Sequence, residues 1–316
     1  LQTRSTLSKY TTLLTEPLPA DGYVDYVAAV NQKSSRGVKP EENAAVLLWQ
    51  LGHEPAEEKY RQPYYRALGV TAPNRDKAKW INLNDIVQLP SGSDELGELW
   101  DKQTTACQRP WSEQEFPQVA AWLKANEANL AKATEASRRP KYFSPLIAGE
   151  ENSMVSVELP AMHVVRDLGR ALVARAMLRL HHGQVQAAWD DLLAAVRLGR
   201  LLASGPTVIE SLVGMGLEST AQFGIHQFLQ HAALTADQAR AHRRTWVELL
   251  PAKPLLEKFQ HERLMVLDSA AQMAQDPRIM EELMKPAAPF LREAIRNADW
   301  NEALKVINQH YDRFLA

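Results

Sequence analysis

The fold is decided by residues 160–229, which read PAMHVVRDLGRALVARAMLRLHHGQVQAAWDDLLAAVRLGRLLASGPTVIESLVGMGLESTAQFGIHQFL. Gly183 supplies the left-handed conformation that often ends a helix, and a second break falls at Ser204-Gly205-Pro206. Before Gly183, apolar residues recur three or four positions apart, as on one buried helix face: Val164, Val165, Leu168, Leu172, Ala176 and Leu180. The stretch predicts three consecutive helices, of which the first two form an antiparallel hairpin.

The order of large and small residues in this hairpin resembles a tetratricopeptide repeat. Large Leu172 is followed by small Ala176, and the turn at Gly183 precedes Ala188, Leu192 and Ala195. The second-helix pattern recurs from Ala298 to Ala303, so the resemblance covers residues 166–198 and 287–311. It implies a partly superhelical array of packed hairpins whose first helices line an inner face.

The tetratricopeptide register also implies which residues would form that inner face. They are Arg170, Val173, Met177 and His181 in one hairpin, and Arg292 and Arg296 in the other. Guanidinium groups bind carboxylates through charge-assisted hydrogen bonds, so the face is expected to take a peptide with carboxylates. This predicts a non-enzymatic interaction or scaffold module with a protein or peptide partner, no catalytic residue and no cofactor.

Helix signals continue on both sides of residues 160–229. Capping boxes at Ser112–Glu115 and Thr235–Gln238 predict two further helix starts. We therefore expect an all-α array or bundle of antiparallel helix hairpins, with loop and a short helix over the irregular stretch 70–110. The predicted regions, which together form either separate units or one continuous domain, are an N-terminal region 1–141, a connector 142–158 and a C-terminal region 159–316.

Composition excludes several classes of protein. The chain has 316 residues, 45% of them apolar and 23% charged, which is typical of a globular protein. Its formal net charge of -2 does not favour nucleic acid as a partner, and no apolar run is long enough to span a membrane. The single Cys107 rules out an internal disulfide or a thiolate metal cluster. Because the chain starts at Leu1, one expectation is an extracytoplasmic protein whose signal or anchor precedes this sequence.

A polar line on the apolar 207–229 helix is the alternative site. It consists of Glu210, Glu218, Gln222 and His226, which are four or eight residues apart. Such a line could supply an acid and a base or bind a metal, which would make the protein an all-α enzyme or metal protein. The competing interpretation is that these side chains pair with Arg166, Arg170, Arg175 or Arg179, or face solvent. A structural domain of an envelope-tethered protein is a third hypothesis.

No zinc motif supports the metal hypothesis. The run from His261 to Met265 begins like the helical zinc motif, but methionine replaces its second histidine. Asp190 and Asp191 fall in the middle of a predicted helix and are expected to be solvated charges. We therefore predict no metal site.

Overall fold

The structure is all-α, which confirms the predicted fold class. A computed structural model describes residues 6–19, 22–51, 58–72, 80–90, 92–149, 152–159, 161–249, 251, 254–275 and 298–316, and these contain no β-strand. The described helices are α1 (Tyr26–Ser35), α2 (Ala44–Trp49), α3 (Glu58–Ala67), α4 (Leu83–Val87), α5 (Asp94–Ala106), α6 (Pro117–Ala125), α7 (Glu127–Ser137), α8 (Ala161–His181), α9 (Val185–Ala203), α10 (Val208–His231), α11 (Ala236–Val247), α12 (Phe259–Gln275) and α13 (Trp300–Leu315).

The three central helices form as predicted. Gly183 has a φ of 69° and links α8 to the antiparallel α9. Thr207 starts α10 with a capping box, because its side chain accepts from the Glu210 N–H and the Glu210 carboxylate accepts from the Thr207 N–H.

Glycines bring α10 close to the backbones of α8 and α9. A Cβ atom added to Gly214 would lie 2.4 Å from the carbonyl oxygen of Gly199. Real Cβ atoms essentially never approach another atom so closely. Gly169 likewise leaves room for Leu217, and Gly224 for Leu192. Residues without a side chain are therefore what allows α10 to lie along both helices of the hairpin.

Helices from the N-terminal half share the core of the central three. One hydrophobic cluster extends from Ala44 to Leu249, and α5 and α7 pack directly on α8. A second cluster joins Val30 of α1, Leu267 of α12 and Leu304 of α13. The described helices on both sides of the predicted connector are thus in contact with each other.

Part of the predicted connector 142–158 is buried and fastened by two asparagines. The Asn43 side chain donates to the carbonyl of Phe143 and accepts from its N–H, both at 2.9 Å. Asn31 makes the same pair of bonds to Leu146, both at 2.8 Å. Each asparagine therefore satisfies the backbone of one residue, as a neighbouring β-strand would.

Two local predictions need correction. The irregular stretch 70–110 contains the 13-residue helix α5, whose N-cap is Ser93. The capping box predicted at Ser112 does not form; the Glu115 N–H donates to the Ser112 carbonyl in a turn, and α6 begins at Pro117. Asn126 separates α6 from α7.

Candidate functional site

Two of the four residues predicted for the inner face of the first hairpin are covered. Val173 and Met177 are 0% exposed, because α10 lies over them: a Cβ atom on Gly224 would be 3.0 Å from Val173 and 3.8 Å from Met177. A third helix placed against the hairpin uses these two side chains as core. Their assignment to an accessible binding face was therefore wrong.

The other predicted inner-face residues do not come together. Arg170 is exposed and lines a small cavity of about 230 Å³ beside Cys107 and Phe223. His181 is exposed at the far end of α8, where its ring meets that of His182 edge-on. Arg292 and Arg296 lie outside the described residues. In the described part of the chain, these side chains form no common groove.

The polar line on α10 also does not converge on one point. Glu218 accepts from Arg200 of α9 at 2.8 Å, and Gln222 donates to the same carboxylate. His226 instead contacts Gln230 on its own helix. Among the residues with assigned positions, no group of three or more His, Cys, Asp or Glu side chains could hold a metal ion. The predicted arginine partners on α8 are also not the ones used, since Glu218 binds Arg200.

Glu210 is a buried cap rather than a surface group. It is 0% exposed, and its carboxylate accepts from the N–H and the hydroxyl of Thr207, both at 2.9 Å. Burial raises the pKa of Glu210 to about 7, although the bonds from Thr207 and the charge of Lys258 act in the opposite direction. Between pH 4.5 and about pH 7, the Glu210 carboxyl is therefore mostly protonated in the folded protein and mostly ionised in the unfolded chain.

We expect Glu210→Gln to remove a pH-dependent loss of stability. Because the folded-state pKa of Glu210 lies near 7 and its ordinary value is 4.5, this group lowers the free energy of unfolding as pH rises between these values. The loss amounts to about 3 kcal/mol across the window. Urea unfolding between pH 4 and pH 8 gives the free energy of unfolding of the wild type and of Glu210→Gln, and the difference between the two should change with pH. A difference that stays constant with pH would contradict the assignment.

A cleft of about 990 Å³ lies between elements from both halves of the chain. One wall is formed by the end of α1 and by residues 140–143. Other lining residues come from the end of α9, the 3₁₀ turn Leu255–Lys258 and the start of α12. Sequence reasoning selected none of its residues as site residues, because the lining comes from segments that are far apart along the chain.

Positive charge dominates the described lining of the cleft. It includes no carboxylate but five basic side chains: Lys33, Arg36, Lys141, Arg200 and Lys258. Lys141 forms an ion pair with Glu42, and Arg200 forms one with Glu218, both at 2.8 Å. These two carboxylates are not part of the described lining. Among the described residues, no carboxylate lies within ion-pair distance of Lys33 or Arg36, which are both exposed.

His261 is held in its neutral form mainly by burial. Burial and, to a smaller extent, the charges of Lys33 and Lys258 together lower its pKa to about 4. His261 is therefore neutral at pH 7, and its buried Nδ1 has no hydrogen-bond partner in the described structure.

Apolar side chains also line the cleft. Two aliphatic side chains at opposite ends of the chain, Val38 and Leu315, contribute to it together with Phe143, Leu201, Leu256, Pro140, Pro206, Pro251 and Pro254. A ligand that fits this lining combines negative charges with aliphatic groups. An anion without apolar parts would leave most of these carbon atoms in contact with water.

The chain matches no protein-family model, and neither a curated protein nor a solved structure was found to be similar to it. None of the helices with assigned positions is long and apolar enough to cross a bilayer.

Proposed function

We propose that the protein is a non-enzymatic interaction module that binds an acidic peptide in the cleft. The tetratricopeptide-like hairpin serves in this proposal as a scaffold, and the cleft replaces its covered inner face. The observation that supports it is the described lining, which has five basic side chains, no carboxylate and interspersed apolar residues. Carboxylates of the peptide would bind the cations, while its aliphatic side chains would bury apolar surface.

The chemistry of the cleft favours a peptide over a nucleic acid. Proteins that bind single strands usually present aromatic rings on which bases stack. The aromatic residues here, Tyr142 and Phe143, are only 7% and 5% exposed and belong to the core. The net charge of -2 also provides no general attraction for a polyanion.

Reversing Lys33 and Arg36, which have no acidic partner among the described residues, should abolish most of the binding. We expect Lys33→Glu/Arg36→Glu to weaken the binding of a fluorescein-labelled peptide, LEELEEL, at least ten-fold, which equals about 1.4 kcal/mol. Both residues are exposed at the end of α1, so the substitutions leave the core intact. Fluorescence anisotropy at low and high salt measures the dissociation constant, and the affinity of the wild type should fall as salt screens the charges.

The matched control reverses two cations elsewhere. Lys124→Glu/Arg240→Glu makes the same change in net charge on α6 and α11, at exposed residues that line none of the cavities described above. This control should bind within two-fold of the wild type. Equal loss in both double variants would mean that net charge, and not the cleft, controls binding. Tight binding of an oligothymidine that displaces the peptide would favour nucleic acid and overturn the proposal.

A further inference from the structure

A second cavity opens beside the cleft and is lined by arginines. It encloses about 370 Å³ and shares Pro140, Arg200 and Leu201 with the cleft. Its other described lining residues are Ser137, Arg138, Arg139, Arg197, Glu248 and Leu249. We call this cavity the arginine pocket. A ligand lying in the cleft could extend into it without leaving the protein surface.

Two arginines that line the pocket have no acidic partner among the described residues. The charge of Arg138 and, to a larger extent, burial lower the pKa of Arg197. Asp190 opposes this at longer range, but no described carboxylate, including Glu248, lies within ion-pair distance of Arg138 or Arg197. Two like charges held close together destabilise each other, and a bound anion would relieve this.

The other two arginines of the pocket are already engaged. Arg139 donates to the carbonyl of Pro40 at 2.7 Å, and Arg200 binds Glu218. They add to the positive potential of the pocket, but part of their donor groups already binds protein atoms. Arg138 and Arg197 are therefore the groups best placed to bind a ligand directly.

An arginine pair elsewhere in the molecule shows the contrast. Arg175 and Arg179 of α8 are bridged by the buried carboxylate of Asp191, at 2.6 and 2.7 Å. The protein supplies its own anion to that pair. For Arg138 and Arg197, no described residue supplies a carboxylate at ion-pair distance, so these two guanidinium groups are open to an anionic ligand.

We infer that the arginine pocket is a subsite for a phosphoryl group, carried by a phosphorylated residue of the peptide in the cleft. Two guanidinium groups provide two positive charges and planar pairs of donors, which match a dianionic phosphate monoester better than a single carboxylate. Free phosphate has the same chemistry and is the other possible source of the anion. The inference rests on the proposed function for its peptide, but not for its anion.

The experiment compares two peptides on three proteins. The probes are fluorescein-labelled LEELEES with serine or with phosphoserine. We expect phosphorylation to tighten binding to the wild type at least ten-fold, and Arg138→Gln/Arg197→Gln to remove this gain while changing the affinity for the unphosphorylated peptide less than three-fold. The control Lys124→Gln/Arg240→Gln, which also removes two cations, should keep the gain. Thermal melting confirms that each variant folds.

A separate measurement distinguishes the subsite from the proposed function. Inorganic phosphate is titrated while the Nε–Hε signals of Arg138 and Arg197 are followed by NMR. If the phosphopeptide gains nothing but phosphate shifts both signals, the subsite holds and its ligand is the free ion. If the serine peptide binds, phosphorylation gives no gain and phosphate shifts neither signal, the subsite is wrong and the proposed function stands. If no peptide binds, the proposed function is wrong, and the phosphate titration alone decides the subsite.

Discussion

Asp191→Ala is expected to destabilise the protein by about 3 kcal/mol. The Asp191 side chain is 2% exposed and accepts from Arg175 and Arg179, whose side chains are 13% and 29% exposed. Burial raises the pKa of Asp191, while both guanidinium groups oppose that change. Removing the carboxylate leaves two partly buried cations side by side, and breaking a buried pair in this way typically costs 3–5 kcal/mol. The lower end applies because the exposed part of Arg179 can rehydrate.

The neighbouring aspartate provides the control. Asp190 is exposed and bonds to Gln186 on its own helix, so Asp190→Ala should change the free energy of unfolding by less than about 0.5 kcal/mol. Urea unfolding monitored by circular dichroism measures both variants. Equal effects at the two positions would show that the buried ion triad does not stabilise the hairpin.

Gly214→Ala should be the second destabilising substitution, with a net loss of about 1–2 kcal/mol. The added methyl group would lie 2.4 Å from the Gly199 carbonyl oxygen and 2.7 Å from the Ala203 nitrogen, both of them backbone atoms. Because the backbone atoms of a helix cannot shift individually, α9 and α10 would have to move apart along their contact. Overpacking of this kind costs about 1–3 kcal/mol, and the gain of about 1 kcal/mol from replacing a helical glycine offsets part of it. Both clashes are with backbone atoms, so we expect the cost to lie in the upper part of that range.

Gly216→Ala should have the opposite sign. Gly216 lies two residues further along α10, and a Cβ atom there meets nothing within 4 Å. Only the helix-propensity gain remains, so we expect stabilisation by about 0.5–1 kcal/mol. Thermal melting of the two variants side by side tests the helix contact directly. Stabilisation by both substitutions would contradict the close approach of α9 and α10.

Local sequence signals predicted the central helices because each signal acts within a few residues. Gly183 needs only its own positive φ, and the break at Ser204-Gly205-Pro206 lies directly between the two helices that it separates. The helix α5 was missed although Ser93 caps it and two acidic residues occupy its first turn. Those signals were present, but its buried positions are few and partly polar, since Gln103 is among them. A propensity-based count of the first turn could have found it.

The positions of side chains between helices could not be predicted in the same way. Val173 and Met177 match a binding face in a two-helix pattern, and only the packing of α10 turns them into core. Asp191 was expected to be solvated, because the residues next to it in the sequence do not indicate its ion pairs with Arg175 and Arg179. The cleft has no sequence motif, because Lys33, Arg200 and Lys258 become neighbours only through the tertiary fold.

The hydrogen bonds from two asparagine side chains to the backbone of residues 143 and 146 have a consequence for folding during translation. Asn43 and Asn31 bond to backbone groups 100 and 115 residues further along the chain. At a synthesis rate of about 5–20 residues per second, α1 and α2 wait on the order of ten seconds for these partners. The hairpin of α8 and α9, by contrast, closes over a short turn as soon as both helices have left the ribosome. The helices made first are therefore expected to dock after later parts of the chain have been made, and their apolar faces need protection until then.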